Sequence, residues 1–376
     1  MEVSELIWIL SAGFILSNST VLGLVFLVAK SSNRRANIFL GLFFWSIAGN
    51  LLNDLLSEFQ INEGLGVSLF IVEPFLLNLP LLFLYLLATI NKEIRTWHFL
   101  LFLPGVLHNV LIRAGGLFLE EGVTTIFETI VYFLEIVLLV YAYSLLQYHY
   151  KRIANYYSDL ENKTLTWLKS IFALNVLIHL LSISTFIGDL SHMEILEFSI
   201  DTFAIGLTLF MVFWTAYNGF SQPEIFKQHL SLTTHNLGST ETTILKKTRD
   251  VNLEKDVISE LDIQRFNAIK ELIQEQELFT KPKLTLRDLS EVADLKEKEL
   301  SRLINECGQS NFYQLINGYR IEKFKALSET SKAYELSIWG LAMEVGFTSK
   351  SAFFSLFKEH EGMTPLQYQK TQKKSS

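Results

Sequence analysis

Seven apolar stretches fill most of the first 217 residues, and no other feature restricts so strongly what this chain can fold into. They are residues 6–29, 38–56, 68–90, 98–118, 125–147, 165–188 and 195–217. A hydrocarbon layer about 30 Å thick is crossed by about 20 mostly apolar residues in helical form. The fourth stretch fits least well, because it holds His108, Asn109, Arg113 and several glycines. Inside lipid a chain must satisfy its own backbone hydrogen bonds, and consecutive apolar runs of this length do so as helices. The connections are short, so the expected arrangement is an antiparallel seven-helix transmembrane bundle over residues 1–218.

Loop charge sets the expected direction. Lys30, Arg34 and Arg35 follow the first stretch, Lys92 and Arg95 the third, and Lys151, Arg152 and Lys163 the fifth. The opposite side carries Glu2, Glu5, Glu58, Glu63, Glu120, Glu121, Asp189 and Glu194, with Arg113 as its basic residue. Short loops rich in Lys and Arg stay in the cytoplasm. The N-terminus is therefore expected outside and everything after Tyr217 inside, at the inner membrane of a bacterium. The start of the chain has acids where a cleavable signal peptide needs basic residues.

Ionisable side chains within such stretches are costly and usually face the bundle interior. Glu73, Glu135, His179 and Asp201 are the candidates for a pocket that takes an unknown ligand. The alternative is that they hydrogen-bond between helices or cap them near the interfaces.

The remaining sequence changes character. Residues 281–376 carry 15 basic and 12 acidic residues, whereas the first 280 carry 17 and 27. Such asymmetry points to different partners for the two parts. Residues 219–280 read as a polar linker with one amphipathic helix, in which Phe266, Ile269 and Ile273 form a stripe broadened by Leu261, Ala268 and Leu272. That helix is expected to dock on the C-terminal domain, to pair with a second copy, or both. Cys307 is the single cysteine, so neither an intrachain disulfide nor a thiolate metal site is expected.

Residues 281–370 contain two helix-turn-helix patterns. In the first, Thr285 and Asp288 have capping-box spacing, Leu286, Leu289, Val292 and Ala293 share a face, and Asp294 and Leu295 make the turn. The second helix turns Leu300, Leu303 and Ile304 inward and Lys298, Ser301, Arg302 and Asn305 outward. A connecting helix follows, with Tyr313, Ile316, Ile321, Phe324 and Leu327 inward. The second pattern starts at an N-cap, Ser337, and turns at Gly346. It restarts at Ser349, with Phe353, Leu356 and Phe357 inward and Lys350, Ser351, Ser355 and Lys358 outward. Residues 371–376 form a polar tail. Helix pairs of this spacing place their second helix in the major groove of double-stranded DNA.

Residues 284–370 resemble the DNA-binding domain of AraC/XylS transcription regulators, through "LSRLIN", "YRI", "EVGFTSKSAF", "FK" and "GMTP". The whole layout is similar to Bacteroidota regulators of that type with multi-pass N-terminal halves. The resemblance implies two recognition helices in successive major-groove segments, with base-contacting positions at Lys298, Ser301, Arg302, Lys350, Ser351 and Ser355. Arg302 suits a two-bonded grip on guanine, and Lys350 and Lys358 suit phosphate. Lys296 stands where a capping Ser is common.

The expected fold is all-α, a seven-helix bundle followed by a cytoplasmic double helix-turn-helix domain. The expected function is a membrane-bound regulator that couples an external or intramembrane signal to transcription. Its expected partners are DNA, the bilayer, RNA polymerase and a second copy. A transporter with a regulatory tail is the alternative. Catalysis, cofactors and metals are not expected: His108 and His179 are isolated, and neither HExxH nor GxSxG occurs.

Overall fold

A computed structural model describes residues 3–29, 33–59, 73–108, 110, 121–160, 164–191, 194–221, 258–331 and 335–375. These residues are helical apart from turns and one isolated antiparallel bridge between Tyr157 and Thr285. The chain divides into two compact units. One comprises Met1–Leu146 and Leu165–Gly238; the other comprises Gln147–Thr164 and Ser239–Ser376.

The first unit contains α1 (Val3–Val28), α2 (Arg34–Glu58), α3 (Asn78–Thr89), most of α4 (Glu121–Ala154), α5 (Thr166–Ser191) and α6 (Glu194–Phe220). Among the described residues, four helices are long and apolar enough to cross a membrane: Leu6–Val28, Arg34–Glu58, Thr129–Ala154 and Phe203–Phe220. Phe75–Thr89 and Thr166–Ile178 are shorter apolar helices. The expected third span is thus described only over its second part, since 60–72 fall outside the described residues. The expected fourth span begins as a 3₁₀ turn, Thr96–Phe102, rather than an α-helix, and 111–120 fall outside.

Local sequence explains how these helices pair. Gly23 of α1 and Gly41 of α2 meet face to face: a Cβ on Gly41 would lie 2.9 Å from the Gly23 carbonyl oxygen. Two glycines facing each other let the backbones approach, the usual device where helices pack without a hydrophobic drive. Asn33 starts α2 by accepting from the Ala36 amide at 3.1 Å and donates to the Ala88 carbonyl at the end of α3 at 3.0 Å. Every residue of α3 is buried, within a core that includes Phe43, Phe44, Leu82, Phe83, Leu168 and Val212. The outer faces stay apolar: Leu10, Phe14, Val21 and Leu24 on α1 and Ile130, Phe133, Ile136 and Val140 on α4 are all exposed. Water would penalise that surface and lipid would not.

The second unit contains α7 (Glu260–Glu275), α8 (Leu286–Ala293), α9 (Glu297–Glu306), α10 (Phe312–Ser328), α11 (Ile338–Glu344), α12 (Lys350–Glu361) and α13 (Pro365–Ser375). Its core has two parts. Phe266, Ile269 and Ile273 of α7 pack with Leu284, Leu286, Leu289, Leu300, Leu303, Ile304, Phe312 and Ile316. Ile321 and Phe324 of α10 pack with Leu341, Ala342, Val345, Phe347, Phe353, Phe357 and Tyr368. Helix α10 is therefore shared by two small four-helix packings.

The stripe of α7 is narrower than its sequence pattern, because Leu261 and Ala268 are exposed. Val292 is also exposed, at 46%, although it shares the periodicity of Leu289. Helix α8 has only two turns, and the left-handed Asp294 (φ 50°) bends the chain away before a further layer covers that position. Tyr313 and Leu327 are only partly buried, whereas Asn317 and Arg320, polar residues between them, are buried at 2% and 1% exposure. The stretch 222–257, which includes the polar "THNLGSTETT", lies outside the described residues.

Candidate functional site

The second helix of each pair is aimed by its own start. In the first pair, Thr285 and Asp288 form the reciprocal capping box at the head of α8. Helix α9 begins without a side-chain cap, since Lys296 has no acceptor to offer; Glu297 and Glu299 in its first turn favour that end through the helix dipole instead. In the second pair, Ser337 caps α11 and Ser349 caps α12, accepting from Gly340 and Ala352 at 3.0 and 3.3 Å.

The turn of the second pair requires glycine. Gly346 has φ +100°, and a Cβ there would lie 2.6 Å from the Thr280 carbonyl oxygen. The 3₁₀ turn Leu278–Thr280 is thereby pressed against this turn. Arg320 reinforces the same seam: Nε donates to the Phe279 carbonyl at 2.7 Å and Nη2 to the Lys281 carbonyl at 2.9 Å. Nη1 donates to Asn317 Oδ1 at 3.0 Å. Burial lowers the guanidinium to about 10, against which Asp159 and Tyr313 act, so it stays charged at neutral pH.

The outward positions fall into two states. Lys298, Lys350, Ser351, Ser355 and Lys358 are exposed. The Ser351 hydroxyl lies 3.0 Å from that of the capping Ser349, and Lys350 Nζ lies over the Phe354 ring at 5.9 Å. Ser301 and Arg302 are half-buried. Arg302 is engaged within the unit: Nη2 donates to Asp262 Oδ1 at 2.8 Å and Nη1 to Glu306 Oε2 at 2.9 Å. The Arg302 hydrogen bond, with that of Ser259, pulls the Asp262 carboxyl down to about 2. A second bridge, Arg265 to Glu299 at 2.8 Å, also joins α7 to α9. The clamp on Arg302 was not legible in the sequence, because its partner lies 40 positions upstream. Helix α12 is tied to α10 through Lys325, which bonds Glu361 at 3.0 Å. Lys325 also bonds Glu322 at 3.2 Å, so a cation already sits in the Glu322, His360, Glu361 cluster.

The first unit holds a cavity of about 500 Å³. Asn50, Asp54, Glu73, Asn78, His108 and Asn175 supply most of its polar lining, and Trp8, Ile47, Leu51 and Met211 part of its apolar lining. Glu73 and His108 face each other at 4.0 Å, and Asn50 donates to Asp54 at 3.2 Å. Of the four candidate ligand residues, Glu73 lines this cavity. Glu135 is half-buried on α4 and is not among the described lining residues. The side chains of His179 and Asp201 lie outside the described residues. Asn50, Asp54, Asn78, His108 and Asn175 are polar lining groups that sequence reasoning did not select as ligands; their signal was polarity within apolar runs.

Comparison with known proteins identifies a domain within the second unit. Residues 289–371 match a helix-turn-helix domain family. Over 88 residues, 23% of this chain, it is 35% identical to the melibiose operon regulatory protein of Escherichia coli K12, covering 28% of that protein. Over 130 residues, 35% of this chain, it is 25% identical to YdeC, an uncharacterised HTH-type transcriptional regulator of Bacillus subtilis, covering 44% of it. The chain thus spans less than half the length of these curated relatives. No solved structure matches it significantly.

Proposed function

We propose that this chain is a membrane-bound, sequence-specific DNA-binding transcription regulator, with the first unit in the bilayer and the second in the cytoplasm. The observation that carries this reading is the joining, in one chain, of two capped helix-turn-helix pairs to helices with exposed apolar faces. The second pair leaves Lys350, Ser351, Ser355 and Lys358 open to solvent, and the first leaves Lys298 and Asn305. Lys350 and Lys358 are placed to hold phosphates, which adds affinity without sequence information. Arg302, once released from Asp262, has the fork that grips guanine.

The signal enters through the cavity of the first unit. Asp54 and Glu73 give that cavity two carboxylates beside amides and His108, a lining suited to a small polar ligand bearing hydrogen-bond donors. Binding changes the output only by the difference in affinity between two states of the chain. The machinery is one of binding and conformational bias, not catalysis. RNA polymerase and a second copy are its further partners.

Two measurements test the reading together. DNA cross-linked to the tagged full-length chain is mapped across the genome, and tags at both termini are probed for access from outside intact cells. Enriched sites sharing a sequence, with the C-terminus protected, are the expected result. An externally accessible Ser376, or no enriched sites under any growth condition, overturns it. Such a cavity would also suit a transporter; ligand uptake that persists without any DNA occupancy would favour that alternative.

A further inference from the structure

The second unit contains a segment from far upstream. Residues 155–160, "NYYSDL", follow the end of α4 and lie in the seam between the two helix-turn-helix pairs, with Tyr157, Ser158, Asp159 and Leu160 all buried. The backbone docks like a short strand. The Ser158 amide donates to the Leu284 carbonyl at 3.1 Å, the Leu286 amide donates to the Tyr156 carbonyl at 2.9 Å, and Tyr157 bridges Thr285. Ser158 Oγ donates to the same Leu284 carbonyl at 2.7 Å.

Side chains carry the contact onward. Asn317 Nδ2 donates to the Ser158 carbonyl at 3.0 Å, and Arg320 Nη2 donates to Ser158 Oγ at 3.3 Å. Thr348 Oγ1 donates to Asp159 Oδ2 at 2.8 Å. Asp159 also supplies the negative charge that favours the buried Arg320 cation. One short segment therefore touches the head of α8, the shared helix α10, and the residue before the cap of α12.

We infer that this seam is a docking site for residues 155–160, and that the docked segment fixes the relative setting of the two recognition helices, so that the first unit acts on DNA reading through this loop. Docking leaves Lys298, Lys350, Ser351, Ser355 and Lys358 exposed, so the docked form presents these positions to DNA, and Arg302 joins them on release from Asp262. The segment follows directly from α4, one of the helices able to cross a membrane. A rigid helix transmits displacement to residues a few positions beyond its end. Docking also needs this loop and the tail in one compartment, which is where the basic residues Lys151, Arg152 and Lys163 assign it.

The DNA part of the inference rests on the regulator reading; the docking part does not. The full-length chain in native membranes is tested with Tyr157→Cys and Thr285→Cys in a Cys307→Ser background. Directly opposed antiparallel residues have Cα atoms about 4.5–5.5 Å apart, within disulfide reach. Near-complete oxidative cross-linking is expected, and its absence overturns docking whatever happens at DNA. Thr348→Ala and Asp159→Lys are then compared with wild type on the sequences that wild type occupies. At least a tenfold loss on paired half-sites is expected for Asp159→Lys, and a smaller loss for Thr348→Ala, with single half-site binding within twofold of wild type. Equal binding by wild type and both variants overturns the coupling. Equal loss on paired and single sites also overturns it, because the segment would then be a plain structural brace. If wild type occupies no sites at all, the regulator reading fails, while the cross-link still decides the docking.

Discussion

Replacing Arg320 by Ala should loosen the whole second unit, and the structure sets the size of the effect. The side chain is 1% exposed and makes three short charge-assisted bonds, to the Phe279 and Lys281 carbonyls and to Asn317 Oδ1. Hydrogen bonds to a charged group contribute about 1.5–3 kcal/mol each. Against them stands the cost of burying the guanidinium, several kcal/mol, visible in its depressed pKa of about 10. Its ring contact with Phe347, at 5.7 Å, adds packing that Ala also removes. Breaking one side of such a network costs about 3–5 kcal/mol, because the abandoned carbonyls stay buried. At 1.4 kcal/mol per tenfold, that is roughly 10²–10⁴ in an opening equilibrium. Hydrogen exchange of the full-length chain in lipid nanodiscs reads this directly, since the most protected amides exchange through global opening. Amides of Ile316, Ile321, Phe324 and Leu341 should exchange faster by that factor. Arg320→Met, which refills the volume, should cost less than Ala, and Arg320→Lys should fall between because its point charge cannot serve three divergent acceptors. A change below tenfold for Ala, or no difference among the three variants, refutes the argument that this cation organises the seam.

Other expectations are more local. Arg302→Ala should weaken binding to the mapped operator by roughly 5–150-fold, the equivalent of about 1–3 kcal/mol, and chiefly at the half-site read by α9; competition assays on base-substituted sites that show equal loss everywhere would exclude base readout. Gly346→Ala should destabilise the second unit by about 2–3 kcal/mol or more, since it adds a Cβ at φ +100° and against the Thr280 carbonyl; thermal shift of the purified chain checks it. Phe324→Ala opens the packing against Phe353 and Phe357 and should cost about 3–5 kcal/mol by the same measurement. Acid should loosen the α7–α9 contact. Asp262 titrates near 2 when folded against 3.8 ordinarily, so between those values the unfolded chain binds more protons. The stabilisation is complete above about pH 4 and fades as pH falls towards 2. Asp262→Asn should flatten that part of the acid-unfolding profile, and an unchanged profile would count against the pair.

Much of this protein was legible as periodicity and punctuation. The apolar runs mark α1, α2, α4, α5 and α6, because a helix that hides one face or meets lipid must repeat its apolar residues along a local stretch. Thr285, Ser337 and Ser349 announce helix starts because a cap bonds an amide only two or three residues away. Gly346 announces a turn for an equally local reason, its left-handed backbone. The same logic misleads at Val292, whose spacing matches Leu289 but whose position no further layer covers.

What only tertiary structure decided is the set of contacts between distant polar residues. Asn317 and Arg320 sit on α10 with nothing in their neighbourhood to say that they are buried; Ser158, more than 150 positions upstream, is part of what buries them. The segment 155–160 has no apolar period and reads as loop, yet it completes a seam. Asp262 restrains Arg302 across 40 positions, which turns an expected free hand into one already occupied. Local sequence specifies backbone shape through short-range sterics and capping. Which polar groups lose water together depends on surfaces that exist only once the helices have packed.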